Sequence, residues 1–288
     1  MIVKTRQESA AKVEESFDPA LGQPRGVLRH PPAAAGTFRH ARRSAPAELA
    51  PWVDHYWMVY WDLRGLPPRL VETLPHPNVH IVFEKPESKV WGVSTSKFSR
   101  MLEGHAHAFG IKFTPGGFFP FFQRPVASLA KISIPVSEVF GAAATVLEKF
   151  IFSTEDEDSM TAEANAFLLQ RLPAPDDKAT LARQMVERIL RERDLLTVDD
   201  LSARCDMSLR SLQRLFSQYV GVSPKWVIRR YRLHELLEQI HSGMQIDWAQ
   251  LAVELGYFDQ AHLIRDFKSI TGYAPTEYTG IQSVQRDN

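Results

Sequence analysis

Apolar and polar positions in the C-terminal third of the chain repeat as one unit, over residues 201–224 and again over residues 251–275. Leu201 and Leu251 are 50 positions apart, whereas the later matched residues are 51 apart, so the second copy has one extra residue in its turn. A repeated supersecondary unit is far more specific than a lone motif. The matched residues are Leu212, Arg214, Phe216, Gly221 and Pro224 with Leu263, Arg265, Phe267, Gly272 and Pro275.

Each copy predicts a helix-turn-helix. The second helix of each unit starts behind a residue type that caps helix N-termini, Ser208 in the first copy and Asp259 in the second. Apolar residues then follow at helical spacing, which predicts one buried stripe per helix. The stripe residues are Leu209, Leu212, Leu215 and Phe216 in the first copy, and Leu263, Ile264 and Phe267 in the second.

The side chains left facing outward on these helices are of the types that read DNA. Arginine and glutamine recognise guanine and adenine edges in the major groove through paired hydrogen bonds. The alternative is an ordinary solvated helix face, but both copies keep an arginine at one matching position. We therefore predict base contacts from five residues: Arg210, Gln213, Arg214, Gln260 and Arg265.

One long helix is predicted between the two units, from the Ser223-Pro224 cap to His241. Its length is about 28 Å at 1.5 Å per residue, close to the ~34 Å between successive major grooves. Basic residues on this connector, including Arg232, are candidates for phosphate contacts, which position a protein without reading sequence. Alternatively, one or two of them could pair with Glu235 or Glu238. The predicted phosphate contacts are Ser208, Lys225, Arg229, Arg230, His262 and Lys268.

Residues 178–280 resemble the DNA-binding domain of AraC/XylS-type transcription regulators. The resemblance lies in Gly256-Tyr257, Phe267-Lys268, and Gly272-Tyr-Ala-Pro275 before Tyr278. It implies seven helices, two of which read adjacent major grooves. Ala261 departs from the family pattern, because relatives often carry a polar residue there.

The N-terminal two-thirds predicts short strands separated by Pro and Gly turns, typical of an antiparallel sandwich or barrel. Two strings, from Pro51 to Trp57 and from Gly110 to Gly116, look like the β-rich domain of one AraC-type subgroup, which senses a small molecule or forms a dimer. The segment from Leu74 to Val79 departs from that subgroup. Strands are predicted over residues 55–62, 78–83, 90–93 and 109–113, and helices over residues 142–152 and 161–172.

The predicted fold class is therefore α+β, with a β-rich domain followed by an all-helical double helix-turn-helix domain. Residues 1–35, rich in Ala, Pro, Gly and charge, predict a disordered lead. The β-rich regulatory domain is expected over residues 36–172, a linker over 173–177, the DNA-binding domain over 178–282, and a tail over 283–288.

Charge adds to this interpretation through its distribution. The chain has no net charge, yet from Arg204 to Arg232 seven basic residues accompany one acidic residue, Asp206, for a local net of +6. A basic stripe is the expected footprint of a DNA-binding surface. The sequence lacks a 20-residue apolar stretch and an N-terminal signal core, and it has a single cysteine. We expect a cytoplasmic protein without a membrane span, in which Cys205 is a buried small hydrophobe rather than a reactive thiol.

Other chemistry has weaker support in the sequence. His76 with His80, and His105 with His107, are tempting ligand pairs, but no third ligand follows at suitable spacing, so we expect no metal and no cofactor. Motifs for a nucleophilic serine, a phosphate loop or a dinucleotide are missing, which argues against an enzyme. An aromatic group could line a small-molecule pocket or simply fill the core. Its members are Trp57, Trp61, Phe113, Phe118 and Phe122.

The sequence predicts a DNA-binding transcription regulator that reads two adjacent major-groove segments of double-stranded DNA. A small-molecule effector in the N-terminal domain, RNA polymerase and a second copy of the chain are the further candidate partners. The alternative hypothesis is a ligand-binding or enzymatic β-domain whose helix pair serves mainly in assembly.

Overall fold

The computed structural model describes residues 13–22, 24–29, 37–243 and 246–286. Its strands are β1 Val13–Phe17, β2 Val27–Arg29, β3 Thr37–Ser44, β4 Val53–Leu63, β5 Arg69–Thr73, β6 His80–Phe83, β7 Lys89–Trp91, β8 Phe98–Leu102, β9 Gly104–Phe113 and β10 Ser133–Pro135. Its helices are α1 Phe119–Phe122, α2 Val136–Phe140, α3 Ala142–Ile151, α4 Glu157–Leu169, α5 Asp177–Arg191, α6 Val198–Cys205, α7 Leu209–Leu215, α8 Pro224–Ser242, α9 Trp248–Glu254, α10 Gln260–Thr271 and α11 Pro275–Arg286.

The N-terminal strands form two sheets. The larger sheet has the order β1-β3-β4-β9-β6-β7-β10, and the smaller has the order β2-β5-β8. Side chains of a strand alternate between the two faces of its sheet. On β4, Tyr56, Met58 and Tyr60 point to a core shared with α3 and α4, whereas Trp61 points to a second core shared with β5 and β8. The larger sheet therefore lies between a helical layer and the smaller sheet, which confirms the predicted sandwich-like fold.

The C-terminal region is helical and includes both predicted units. Over residues 177–243 and 246–286 it has seven helices, α5 to α11, the number that the resemblance implies. A single π turn, Phe216–Val220, follows α7. The connector α8 begins as predicted, with Ser223 Oγ accepting a hydrogen bond from the Trp226 amide at 3.2 Å and Pro224 in the first turn. It ends at Gly243, whose φ of 75° suits glycine.

The two regions pack closely on each other. Leu28 and Leu74 from the β-rich region belong to the same apolar core as Leu233, Leu236 and other residues of α8 to α11. Val93 packs into the core around the first helix-turn-helix. Phe119 of α1 packs against Tyr219, with 4.3 Å between the ring centroids and an angle of 45° between the rings. Both helix-turn-helix units therefore have apolar contacts with the β-rich region.

Several sequence predictions need correction. The disordered lead over residues 1–35 is wrong at β1 and β2, because backbone pairing with β3 and β5 orders them; residues 1–12, 23 and 30–35 lie outside the described residues. Residues 283–286, which were predicted to belong to a tail, are part of α11, which ends at Arg286. Residues 287–288 lie outside the described residues. The predicted linker ends one residue into α5, which starts at Asp177. Strands β3, β5, β8 and β10 were not predicted.

Among the described residues, no helix combines the length and the apolar character that a membrane span requires.

Candidate nucleic-acid interface

The first helix-turn-helix consists of α6 and α7. Thr197 and Asp200 form a capping box at the start of α6, each side chain accepting the other's backbone amide. The chain then turns at Asp206, which has a left-handed φ of 50°. Ser208 caps α7 by accepting the Ser211 amide at 3.2 Å. These local hydrogen bonds fix how α7 projects from the domain.

The second helix-turn-helix, α9 and α10, uses the same devices with different residues. Asp247 caps α9 by accepting the amides of Ala249 and Gln250. The turn is made by Gly256 with a φ of 76°, and Asp259 accepts the His262 amide at 2.7 Å to cap α10. Both units therefore present a capped helix behind a left-handed turn residue.

The five predicted base readers are all exposed on α7 and α10. Leu212 and Leu215 of α7, and Leu263 and Phe267 of α10, are buried on the opposite faces. Leu209 is an exception to the predicted stripe, because it is 41% exposed at the first position of α7. None of the five reader side chains forms a hydrogen bond or ion pair with another described residue, so their donors remain available to a partner: Arg210, Gln213, Arg214, Gln260 and Arg265.

Five of the predicted phosphate contacts are also exposed: Ser208, Lys225, Arg229, His262 and Lys268. Arg229, however, already has a partner. Its Nε donates to Asp266 Oδ2 at 3.2 Å, and its Nη2 donates to the other carboxylate oxygen. The Asp266 side chain is only 3% exposed and also accepts from Tyr257 Oη at 2.7 Å. Arg229 therefore links α8 to α10, the second recognition helix, and its guanidinium group is not available for a phosphate contact in this structure.

The prediction that Arg230 contacts phosphate is wrong in this structure. Arg230 is 1% exposed, donates to the Thr95 carbonyl at 2.9 Å and lies over the Trp226 ring at 4.5 Å. Burial lowers its pKa to about 10. Arg232 is likewise 1% exposed, and its Nη2 donates to the carbonyl of Ile189 in α5 and to those of Glu192 and Leu195 after this helix. The guanidinium groups of Arg229, Arg230 and Arg232 therefore have carbonyl or carboxylate partners within the protein itself.

A polar contact also joins the smaller sheet to the second helix-turn-helix. Glu72 of β5 accepts from Lys97 Nζ at 2.6 Å, from Tyr273 Oη at 2.5 Å and from Ser99 Oγ at 3.0 Å. Burial opposes ionisation of Glu72, but these donors hold its pKa below the usual value. Tyr278 adds a hydrogen bond to the Leu28 carbonyl at 3.2 Å. The position of α10 and α11 thus depends on the β-rich region.

Two histidines stack where α8 crosses the β-rich region. The rings of His76 and His234 lie 4.2 Å apart between centroids. Burial lowers the pKa of His234 to about 3, with Arg230, Arg25 and Lys112 adding to the effect. Burial and His234 place the pKa of His76 well below 6.5. Both rings are therefore neutral at neutral pH, and their stacked faces pack in the contact between the domains.

The structure separates the five aromatic residues predicted to line a pocket. Phe113, Phe118 and Phe122 lie in the core between the larger sheet and the helices, with 4.9 Å between the Phe113 and Phe118 ring centroids. Trp57 and Trp61 lie on the opposite face, toward the smaller sheet, because odd and even positions of β4 face opposite ways. The five cannot line one pocket. A cleft of about 470 Å³ is lined instead by Pro120, Gln123, residues 173–178 and Tyr219.

The four candidate histidines contact different partners. His76 stacks on His234, whereas His80 accepts a hydrogen bond from Trp57 Nε1 at 3.2 Å. His107 stacks on Tyr60. In the described part of the chain, no three His, Cys, Asp or Glu side chains are grouped as metal ligands. Cys205, which was predicted to be buried, is only partly buried and packs against the core of the first helix-turn-helix.

Each part of the chain matches a known domain family. Residues 201–280 match a family described as a helix-turn-helix domain, and residues 41–135 match a domain of unknown function, DUF6597. An uncharacterized HTH-type transcriptional regulator of Haemophilus influenzae is 28% identical over 81 residues, which cover 28% of this chain and 27% of that protein. The chain thus matches about a quarter of the length of this relative.

Among solved structures, an apo variant of ToxT from Vibrio cholerae is similar, with a TM-score of 0.41 and 12% identity over 83% of this chain and 100% of that one. Wild-type ToxT bound to an unsaturated fatty acid gives a TM-score of 0.37 and 13% identity, over 87% and 97% of the two chains. Similarities at this level carry no argument about function. The repeat, its capped helices and the family match together show that residues 201–280 form a helix-turn-helix domain.

Proposed function

We propose that this protein is a sequence-specific DNA-binding transcription regulator whose helices α7 and α10 enter two adjacent major-groove segments of one duplex. The observation that carries the proposal is the pair Arg214 and Arg265. They occupy the same place in the two units, both are exposed, and neither has a partner among the described residues. An arginine held on a rigid helix with free donors is suited to a guanine edge. The name of the Haemophilus influenzae relative agrees with this function.

Within this proposal, the surface residues divide into two groups. Base readout comes from Arg210, Gln213, Arg214, Gln260 and Arg265, whereas phosphate contacts come from Ser208, Lys225, His262 and Lys268. Arg229 and Arg230 are not included among the phosphate contacts, because their guanidinium groups have partners inside the protein. The expected electrostatic contribution to DNA binding is correspondingly smaller than the basic stripe in the sequence indicates.

The β-rich region is proposed to regulate the helical DNA-binding domain, called the reader below. The boundary between the two is proposed near residues 173–177. A ligand can shift an equilibrium only through different affinities for two states. Glu72 and Thr95, which both lie in the β-rich region, contact Tyr273 and Arg230 of the reader, so a rearrangement there would move the reader. A small-molecule effector that acts on this region is a proposed partner. RNA polymerase and a second copy of the chain are further proposed partners. We also propose that the protein acts in the cytoplasm and is not an enzyme.

Selection of bound fragments from random-sequence DNA by the full-length chain tests the function. We expect one enriched motif with two half-sites about one helical turn apart, each sensitive to one recognition helix. Arg214→Ala should remove preference in one half and Arg265→Ala in the other. Arg124→Ala is the matched control, because this arginine is 52% exposed in the β-rich region. Failure to enrich any sequence would refute the proposal and favour a helix pair that serves in assembly.

A further inference from the structure

The extra residue of the second unit can be located from backbone geometry. Asp206 and Gly256, 50 positions apart, both have left-handed φ values. The next residues also match, since the Met207 amide donates to the Ser202 carbonyl at 3.1 Å and the Tyr257 amide donates to the Ala252 carbonyl at 2.8 Å. The helix caps that follow, Ser208 and Asp259, are 51 apart. The inserted residue is therefore Phe258.

Phe258 has no role in the apolar core of its own unit. Its side chain is 91% exposed, more than any other exposed large hydrophobic residue of the described chain, with Val253 next at 68%. The flanking Tyr257 is buried, and its counterpart Met207 packs against the first core. The first unit builds the same turn without an added residue. The fold alone therefore gives no reason for an aromatic ring in solvent here.

The position of Phe258 in the second unit indicates which partner would contact its exposed ring. It directly precedes the cap of α10, and the N-terminal residues of a recognition helix are those that contact base edges. The neighbouring Ala261 is also exposed and apolar. Phenylalanine and alanine are residue types that make apolar contact with the 5-methyl group of thymine. We propose that Phe258 and Ala261 form an apolar edge that recognises a thymine methyl group in the second half-site.

This inference rests on the proposed function and deepens it, because it assigns different chemistry to the two units. The position of Ala261 is occupied in the first unit by Arg210, 51 residues earlier, which is also exposed. A guanidinium donates to guanine acceptors, whereas a methyl or phenyl group favours thymine over uracil or cytosine. The first half-site is thus read by hydrogen bonds, and the second partly by apolar contact.

The test uses the full-length protein and the duplex obtained by selection. Each thymine of the second half-site is replaced in turn by deoxyuridine, which lacks only the 5-methyl group, and dissociation constants are measured at fixed salt. For the wild type we expect one replacement to weaken binding about fourfold, the contribution typical of burying one methyl-sized group. Phe258→Ser should bind the thymine duplex about fourfold more weakly and lose this sensitivity, whereas Phe258→Leu should retain most of it.

Val146→Ser is the matched control, because Val146 is 66% exposed on α3 in the β-rich region, and this variant should behave as the wild type. Thermal unfolding should be unchanged in all variants, since the replaced side chains are exposed. Sequence-specific binding with no response to any uracil, or a Phe258→Ser variant as sensitive as the wild type, would overturn the thymine contact alone. If even the wild type enriched no sequence, the proposed function itself would fail.

Discussion

Replacing Arg229 with methionine should destabilise the protein without removing a DNA phosphate contact. The Asp266 side chain is 3% exposed, and without Arg229 its carboxylate keeps only the Tyr257 hydroxyl as a side-chain donor among the described residues. Removing one partner of a fully buried pair costs about 3–5 kcal/mol. Because the Arg229 side chain is 46% exposed, solvent screens the pair, and we expect a loss of about 2 kcal/mol.

The assay combines urea unfolding with DNA binding over a range of salt concentrations. Asp266→Asn should also destabilise, and the double variant should lose less than the sum of the two, because both changes remove the same pair. Arg229→Met should weaken specific binding by loosening α10, while the slope of log affinity against log salt stays unchanged. Lys225→Met is the control: Lys225 is exposed, so stability should persist and the slope should fall by about one.

The contrary result is well defined. If Arg229→Met left the free energy of unfolding unchanged and lowered the salt slope by about one, Arg229 would have to leave Asp266 on binding DNA. The reasoning that this arginine positions the second recognition helix would then be wrong.

Arg214→Ala and Arg265→Ala should each weaken specific binding by about 1–3 kcal/mol and relax preference in different halves of the site; unchanged preference, measured by competition with altered duplexes, would remove that arginine from the readers. Arg230→Met should leave the salt slope unchanged and lower the free energy of unfolding by no more than about 1 kcal/mol, because it removes a buried cation whose Nε and Nη1 have no partner among the described residues. Stability should also fall with acid: His234, with its pKa lowered to about 3, is neutral when folded and protonates when unfolded, so the free energy of unfolding is fully present above about pH 6.5 and declines below it by up to roughly 1.4 kcal/mol per pH unit. His234→Leu should make this decline shallower in urea unfolding at pH 7 and pH 5, and an unchanged pH dependence would argue against a buried neutral histidine.

The sequence by itself determined the two helix-turn-helix units and the general class of the N-terminal region. The signals are local: apolar residues at helical spacing, caps at Ser208 and Asp259, and glycines at Gly221 and Gly272 after each recognition helix. A cap or a buried stripe forms from residues a few positions apart, so its signal survives in one dimension. The strands around Trp57 and Phe109 were likewise evident from aromatic and β-branched residues.

Strand β3 was decided by tertiary structure. Its sequence is mostly polar and basic, which does not predict a strand beside the sheet core. In the fold, Arg39 lies over the Tyr60 ring at 3.9 Å, and Arg43 pairs with Glu157 at 2.6 Å. Glu157 is more than 110 positions away in the chain, so no local pattern reveals that these arginines have partners.

The same reason governs the candidate site. Arg214 and Arg230 are indistinguishable as basic residues of one stripe, yet one is exposed on α7 and the other lies under Thr95 of the β-rich region. The predicted aromatic pocket failed because Trp57 and Phe113 belong to opposite faces of one sheet. Which cations remain free for DNA, and which aromatic residues share a cavity, depends on contacts between distant segments, and only the folded chain brings those segments together.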